Sequence, residues 1–290
     1  MMDISGKTQV CGVIGDPIEH SLSPTIHNAA FNYLKLDFVF LAFRVKAADL
    51  ENAIQGMRGL GIHGLNVTMP HKSTVIGCLD EVDSTVKFLG SANTILNKDG
   101  KLSGFNTDGV GALKALRENG AKLSEKKVLL LGAGGAAKAI AFALAEEVGE
   151  LVVLNRTAEK AKRLAEALEQ ISNKKVVGGS LSPDTIVKNL QDSDVLINAT
   201  SVGMHPEANQ SIVPPQWLRS DLTVMDIVYN PVETKLAKDA KAVGARVISG
   251  VEMLIYQGAA SFEIWTGLSA PIEVMRRAAL NKLSSAGASK

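Results

Sequence analysis

Four consecutive aliphatic residues, Val128 to Leu131, run directly into Gly132-Ala133-Gly134-Gly135-Ala136-Ala137. Such a run is too short for a free-standing helix and reads as a strand buried on both faces. The glycines make a turn, and the alanine-rich residues after it open a helix. Strand, glycine turn and helix start are the context that a GxGxxG or GxGxxA dinucleotide fingerprint requires. Gly132 permits the tight turn, Gly134 lets the backbone approach a pyrophosphate, and Ala137 stands where a third small residue allows close helix packing. Free N–H groups at the helix start then face the anion.

The same grammar repeats from Lys127 to Gly250. Six short apolar runs, at 128–131, 151–154, 175–177, 194–198, 224–228 and 246–248, alternate with helical patterns, as in βαβ units around a doubly wound parallel sheet. Between two of them, Ala161, Leu164, Ala165 and Leu168 recur at i, i+3, i+4 and i+7 and predict an amphipathic helix over 158–170. An NAD site places Asp or Glu ~20 residues past the glycines, at the tip of the second strand. Here that tip is Asn155-Arg156-Thr157, with Lys160 close by and no carboxylate. Charge and hydrogen bonds of this kind suit a 2′-phosphate, so NADP is favoured over NAD.

The chain has 290 residues, about two domains at ~150 residues each. A hydrophobic fraction of 46% and a charged fraction of 21% exclude a disordered chain. Lys+Arg is 31 against 30 Asp+Glu, a net charge of +1 without a basic stripe, so nucleic acid is not an expected partner. Cys11 and Cys78 form no CxxC pair, and no secretory pattern opens the sequence, which points to a cytoplasmic protein. No membrane span is expected. The five histidines show no ligand spacing, so no metal is expected either, and His71 is assigned to the surface.

The first ~110 residues read differently. Gln9 to Gly15 is a strand. In Ser21-Leu22-Ser23-Pro24, Ser23 fits an N-cap with Pro24 at the first helical position, turning Ile26, Ala30, Tyr33 and Leu34 inward. Ile62 to Met69 is a strand with Leu65, Val67 and Met69 inward and a polar edge at Asn66 and Thr68, ended by Pro70. Asp99-Gly100 marks a hairpin between 94–96 and 101–105. Two last helices, 252–265 and 272–283, have no further strand to cross to and are expected to return to the first domain. The expected substrate domain thus comprises 1–109 and 251–290, the dinucleotide domain 110–250, and the polar tail 284–290 is expected to fray.

Ser21, Ser23, Asn66, Thr68, Lys72, Asn93 and Asp108 gather at the ends of elements, where sites form. Ser21 and Ser23 at a helix start suit a carboxylate, although Ser23 taken alone reads first as a cap. Lys72 is expected in a first helical turn, a poor place for a structural lysine. Asp108 reads either as an N-cap or as a functional carboxylate. Together, Lys72 and Asp108 make an ammonium and carboxylate pair able to move a proton beside a carbonyl or alcohol.

These residues fall in longer motifs: 15-GDPIEHSLSP-24, 64-GLNVTMPHK-72, 90-GSANT-94, 104-GFNTDG-109, 132-GAGGA-136, 155-NRT-157, 198-NATSVGM-204, 226-DIVYNP-231 and 250-GVEML-254. On these motifs the sequence resembles the shikimate dehydrogenase family over nearly its whole length. The resemblance implies an α/β protein in which an N-terminal substrate domain joins a Rossmann-type NADP domain. It also implies an oxidoreductase of chorismate and aromatic amino-acid biosynthesis that reversibly reduces 3-dehydroshikimate to shikimate with NADPH. Lys72 and Asp108 match the family's catalytic pair. Ser21 and Ser23 match carboxylate-holding positions, and Asn66, Thr68, Asn93, Tyr229 and Gln257 match positions around the ring. Gly132, Ala133, Gly134, Gly135 and Ala136 match the pyrophosphate turn, and Asn155, Arg156, Thr157 and Lys160 the 2′-phosphate region. Ile227 and Gly250 match the nicotinamide end, and Thr200 and Ser201 further cofactor positions. Lys160 stands where many relatives carry Arg, which keeps the charge but loses a planar fork. Two alternatives remain: a dual quinate and shikimate dehydrogenase using NAD, against which the second strand's tip argues, and a non-catalytic NADP- or shikimate-sensing protein, against which an intact Lys72 and Asp108 argue. Composition admits a monomer or a homodimer.

Overall fold

The computed structural model describes residues 4–287. The chain divides into two compact units, one made of the residues up to Thr107 with those from Ile255 on, the other of Asp108–Leu254.

The first unit opens with β1 (Gln9–Gly15), α1 (Ser23–Tyr33), β2 (Phe38–Arg44), α2 (Leu50–Gly59) and β3 (Gly64–Val67). It continues with β4 (Glu81–Val82), α3 (Ser84–Leu89), β5 (Thr94–Lys98) and β6 (Lys101–Phe105). Its sheet has the order β2-β1-β3-β5-β6-β4, parallel from β2 through β3 and antiparallel through β5 and β6. Asp99-Gly100 closes the β5–β6 hairpin, as the Asp-Gly pair predicts. Ile54, Met57, Leu65, Val67, Val86, Ile95 and Leu102 form a dry core between α2 and the sheet.

The second unit runs α4 (Asp108–Glu118), β7 (Lys127–Leu131), α5 (Gly135–Leu144), β8 (Glu150–Asn155), α6 (Ala158–Ser172) and β9 (Lys175–Ser180). After these come α7 (Pro183–Leu190), β10 (Val195–Asn198), β11 (Thr223–Asp226), α8 (Lys235–Ala242) and β12 (Arg246–Ile248). All six strands are parallel in the order β12-β11-β10-β7-β8-β9, which is the doubly wound Rossmann arrangement. Because both faces are covered, β7 and β8 are continuous hydrophobic runs rather than alternating ones, with Val128 to Leu131 fully buried. Each such side chain contributes roughly 1.5–3 kcal/mol by leaving water. α6 turns Ala161, Leu164, Ala165 and Leu168 inward, as their spacing predicts.

Finally, α9 (Gly250–Thr266) and α10 (Ile272–Gly287) supply the residues from Ile255 on to the first unit. Trp265 of α9 donates its indole N–H to the carbonyl of Ile95 at 2.9 Å, and α10 packs on α1. No helix among the described residues is long and apolar enough to cross a membrane.

Several expectations need correction. Ser23 does not cap α1; it lies inside the helix, and Leu22 holds the cap position without a side-chain bond. Tyr33 sits on the last, solvent-facing turn and is 63% exposed. β3 ends at Val67 and is buried at all four positions, so Asn66 lies inside the structure rather than on an open edge. Beyond it the chain turns, leaving Met69 exposed. The tail does not fray from Ser284, since α10 continues to Gly287; residues 288–290 of that expectation lie outside the described residues.

Candidate active site

Gly132 ends β7 with φ +115°, and a Cβ there would lie 2.7 Å from the carbonyl oxygen of Ala199. The turn therefore sits hard against the end of β10, at the point where the strand order reverses, and open sheets of this kind bind ligands there. At Gly134 and Gly135 the opposite holds: a Cβ would meet nothing, so the backbone at the N-terminus of α5 borders open space. Gly134 occupies the N-cap position with no side-chain cap, leaving the first amides of α5 without one. Ala137 behind them is fully buried, which fits the role of a small packing residue. Anion binding is what such a helix start offers, and a dinucleotide pyrophosphate fits this cradle.

One strand over, Asn155 ends β8 and donates its amide to the carbonyl of Thr157 at 3.0 Å, shaping the turn into α6. Arg156, Thr157 and Lys160 are exposed there, and among the described residues the Arg156 and Lys160 side chains enter no ion pair or hydrogen bond. No carboxylate stands at this tip. Glu159 shares the first turn of α6, as the helix dipole favours, and the exposed Arg156 and Lys160 on either side of it in sequence offer charge to a bound anion.

At the ends of β10 and β11, Asn198 and Asp226 are register partners and both buried. The Asp226 carboxylate accepts from Asn198 Nδ2 at 2.9 Å, the Val228 amide at 3.1 Å and Thr234 Oγ1 at 2.7 Å. Burial pushes the Asp226 carboxyl above its usual range, and the three donors act against that. Asn198 Oδ1 in turn accepts from the amide and hydroxyl of Thr200. This cluster fixes Thr200 beside the glycine turn, and Ser201 after it is exposed. Sequence reasoning did not single out Asp226 or Asn198; the signal was a polar residue ending each of two neighbouring apolar runs. Ile227 and Tyr229 are half-buried, and burial raises the Tyr229 phenol.

In the first unit, the Ser23 amide donates to Ser21 Oγ at 3.3 Å, so the two hydroxyl residues share one turn at the start of α1. Asn66 Nδ2 reaches the Asn93 carbonyl (3.2 Å), Thr94 Oγ1 (3.2 Å) and Ser261 Oγ (3.0 Å). Asn93 Oδ1 accepts from Thr94 Oγ1 (2.9 Å) and from the amide of Thr107 (2.9 Å), and Asn93 Nδ2 donates to Thr107 Oγ1 (3.0 Å). The predicted residues Asn66 and Asn93 are thus joined in one buried network, with Thr94, Thr107 and Ser261 as members that the sequence did not reveal. Thr68 lies just past β3, half-buried, its amide bound to the Ile14 carbonyl. Gln257 is half-buried on α9.

Lys72 lies in a hydrogen-bonded turn, closed by the Val75 amide on the His71 carbonyl at 2.9 Å, that leads into the short 3-10 turn Thr74–Cys78 rather than into an α-helix. Its carbonyl accepts from the Ala92 amide at 2.8 Å, which ties this turn to the residue before Asn93. His71 is not on the surface: it is 1% exposed, and its Nε2 meets the Val45 carbonyl at 2.7 Å. That bond satisfies a buried polar ring and pins the Lys72 turn from beneath. Asp108, buried, is the first residue of α4 rather than its cap. Among the described residues no group of His, Cys, Asp and Glu is arranged to hold a metal ion.

A unit with a Rossmann-order sheet and a phosphate-binding turn, and in the same chain a mixed α/β unit holding a buried polar network, define a two-domain dinucleotide-linked oxidoreductase. Comparison with known proteins narrows this. The family described as shikimate dehydrogenase substrate binding domain matches residues 13–95, shikimate / quinate 5-dehydrogenase matches 114–239, and shikimate 5'-dehydrogenase C-terminal domain matches 250–280. The shikimate dehydrogenase (NADP(+)) of Methanocaldococcus jannaschii is 46% identical over 282 residues, 97% of this chain and 99% of that protein. That of Pyrococcus abyssi is 50% identical over 275 residues, covering 95% and 98%. A crystal structure of a shikimate dehydrogenase in complex with NADP+ superimposes with a TM-score of 0.90 at 45% identity, covering 97% of this chain and 98% of that one. The chain belongs to the shikimate dehydrogenase family.

Proposed function

We propose that this protein is an NADP-dependent shikimate dehydrogenase, reversibly reducing the ring ketone of 3-dehydroshikimate to shikimate within chorismate and aromatic amino-acid biosynthesis, in the cytoplasm. The observation that supports the cofactor choice in a chain of this family is the tip of β8, where Asn155-Arg156-Thr157 holds no carboxylate and the Arg156 and Lys160 side chains make no ion pair among the described residues. Residues 1–109 and 251–290 serve the substrate in this reading, and 110–250 the dinucleotide.

When bound, NADPH supplies the hydride. Gly132, Ala133, Gly134, Gly135 and Ala136 with the N-terminus of α5 would hold its pyrophosphate, and Asn155, Arg156, Thr157 and Lys160 its 2′-phosphate. Thr200 and Ser201 would line the same site, and Ile227 and Gly250 its nicotinamide end. Ser21 and Ser23 offer hydroxyl donors and a helix N-terminus to the substrate carboxylate. Asn66, Thr68, Asn93, Tyr229 and Gln257 offer neutral hydrogen-bonding groups to the ring hydroxyls. Lys72 and Asp108 move the proton at the ring oxygen, one giving it in reduction and the reverse path taking it in oxidation.

The test is absorbance at the reduced-nicotinamide band with shikimate or quinate and NADP or NAD. Rapid reduction of NADP with shikimate alone is expected. Equal rates with quinate and NAD indicate a dual enzyme, and no reaction in any combination overturns the catalytic assignment in favour of a binding protein.

A further inference from the structure

Ser261 lies on α9, far from β3 and β5 in sequence, yet it is fully buried against both. Its Oγ is 3.0 Å from Asn66 Nδ2, 2.8 Å from Thr94 Oγ1, 3.3 Å from Thr107 Oγ1 and 3.2 Å from the Gln257 carbonyl. A serine hydroxyl has one proton and two lone pairs. Thr94 gives its proton to Asn93 Oδ1, so Ser261 gives its own to Thr94 Oγ1, the nearest oxygen, and its two lone pairs accept from Asn66 Nδ2 and Thr107 Oγ1. Thr107 Oγ1 in turn accepts from Asn93 Nδ2, so Ser261 joins the side chains of Asn66, Thr94 and Thr107 and reaches the Asn93 amide through both threonines.

The Asn66 oxygen makes this contact consequential. Asn66 Oδ1 is buried and, among the described residues, makes no hydrogen bond of good geometry; its polar neighbour is the buried ring of His27. The three hydrogen bonds of good geometry to this amide are all made by its nitrogen. Of the three acceptors there, Ser261 Oγ is the nearest, and it is the one carried by a different part of the chain.

We infer that Ser261 is a positioning residue for substrate binding, holding the Asn66 amide and, through Thr94 and Thr107, the Asn93 amide in the orientation that receives the ring hydroxyls. This rests on the assignment of Asn66 and Asn93 to the substrate. Ser261 itself need not touch the substrate.

The experiment compares wild type, Ser261→Ala, Ser261→Cys and Ala259→Gly in shikimate oxidation with NADP, alongside thermal unfolding. Ala259 is buried on the same helix outside the network, so its glycine variant reports what a loss of helix stability does by itself. Loss of one net hydrogen bond is about fivefold in affinity, so Ser261→Ala is expected to raise KM for shikimate roughly 3–10-fold. KM for NADP and kcat should stay within about twofold, because the change acts on substrate orientation. Ser261→Cys keeps the volume but bonds weakly, and it should follow the alanine variant. A wild-type KM in both Ser261 variants overturns the inference. A matching KM rise in Ala259→Gly also overturns it, since the effect is then one of stability. If wild type itself fails to oxidise shikimate, the functional assignment falls first and this inference with it.

Discussion

A Cβ on Gly250 would lie 2.5 Å from the carbonyl oxygen of Ile227, closer than non-bonded atoms approach. Ile227 follows the last residue of β11, and its amide is tied to the Asn198 carbonyl at 3.1 Å, so it cannot retreat freely. Gly250 opens α9, which makes the helix start and the strand end a single packed unit. Gly250→Ala should therefore cost about 1–3 kcal/mol of unfolding free energy through overpacking. Because both residues are assigned to the nicotinamide end, NADP affinity should fall with it, by about tenfold for a loss of 1.4 kcal/mol. Urea unfolding and calorimetric titration with NADP measure the two, and wild-type values in both would show that the strand end yields without consequence.

Arg156 and Lys160 predict a cofactor switch. A charge-assisted bond from guanidinium to phosphate contributes about tenfold or more to affinity, and the uncharged ribose of NAD cannot use it. Arg156→Ala should raise KM for NADP at least about tenfold while leaving KM for NAD within about twofold, and Lys160→Ala should act in the same direction more weakly. Steady-state kinetics with both cofactors read the ratio. Parallel losses with NADP and NAD would remove these side chains from the 2′-phosphate site.

How far these features can be read from sequence depends on how local their causes are. The glycine turn, the six parallel strands and the amphipathic α6 follow from adjacent residues, because two-sided burial and a 3.6-residue period are written along the chain. The strand tip at Arg156 was equally visible, since it needs only the end of β8 and the start of α6. His71 was not, because the carbonyl that holds it belongs to Val45, 26 residues earlier. Ser261 was hidden for the same reason, with its partner Asn66 195 residues away. Alternation along 62–69 placed Asn66 on a polar edge, but α9 covers that side of β3, so a tertiary contact reversed the local inference.

Lys72 gives a kinetic prediction. Its turn is held by the Ala92–Lys72 backbone bond and by His71 on Val45, neither of which uses the lysine side chain. Lys72→Ala should leave the fold intact and lower kcat by about 10²–10⁴-fold, the usual contribution of a positioned proton carrier, with only a modest rise in KM for shikimate. Stopped-flow and steady-state rates measure the split, and turnover within a few-fold of wild type would take Lys72 out of the proton step.

His27 gives a pH prediction. The ring is fully buried, stacked on Phe40 with centroids 4.4 Å apart and 5.2 Å from the Trp265 ring. Burial pushes its pKa down from 6.5 to about 3, with Asn66 opposing the shift. In the unfolded chain the imidazole returns to its ordinary value, so between pH 6.5 and 3 the unfolded state binds a proton that the folded state refuses. Stability associated with His27 is therefore complete above about pH 6.5 and declines as pH falls through that window, by at most about 1.4 kcal/mol per pH unit. Surface carboxylates add their own acid dependence, which a variant isolates by subtraction. His27→Phe keeps an aromatic ring between Phe40 and Trp265 and removes the titration. Its stability relative to wild type should stay constant above pH 6.5 and rise steadily below it in urea unfolding at a series of pH values. A difference independent of pH down to about pH 4 would mean that His27 becomes protonated in the folded state, against the burial that the structure gives it.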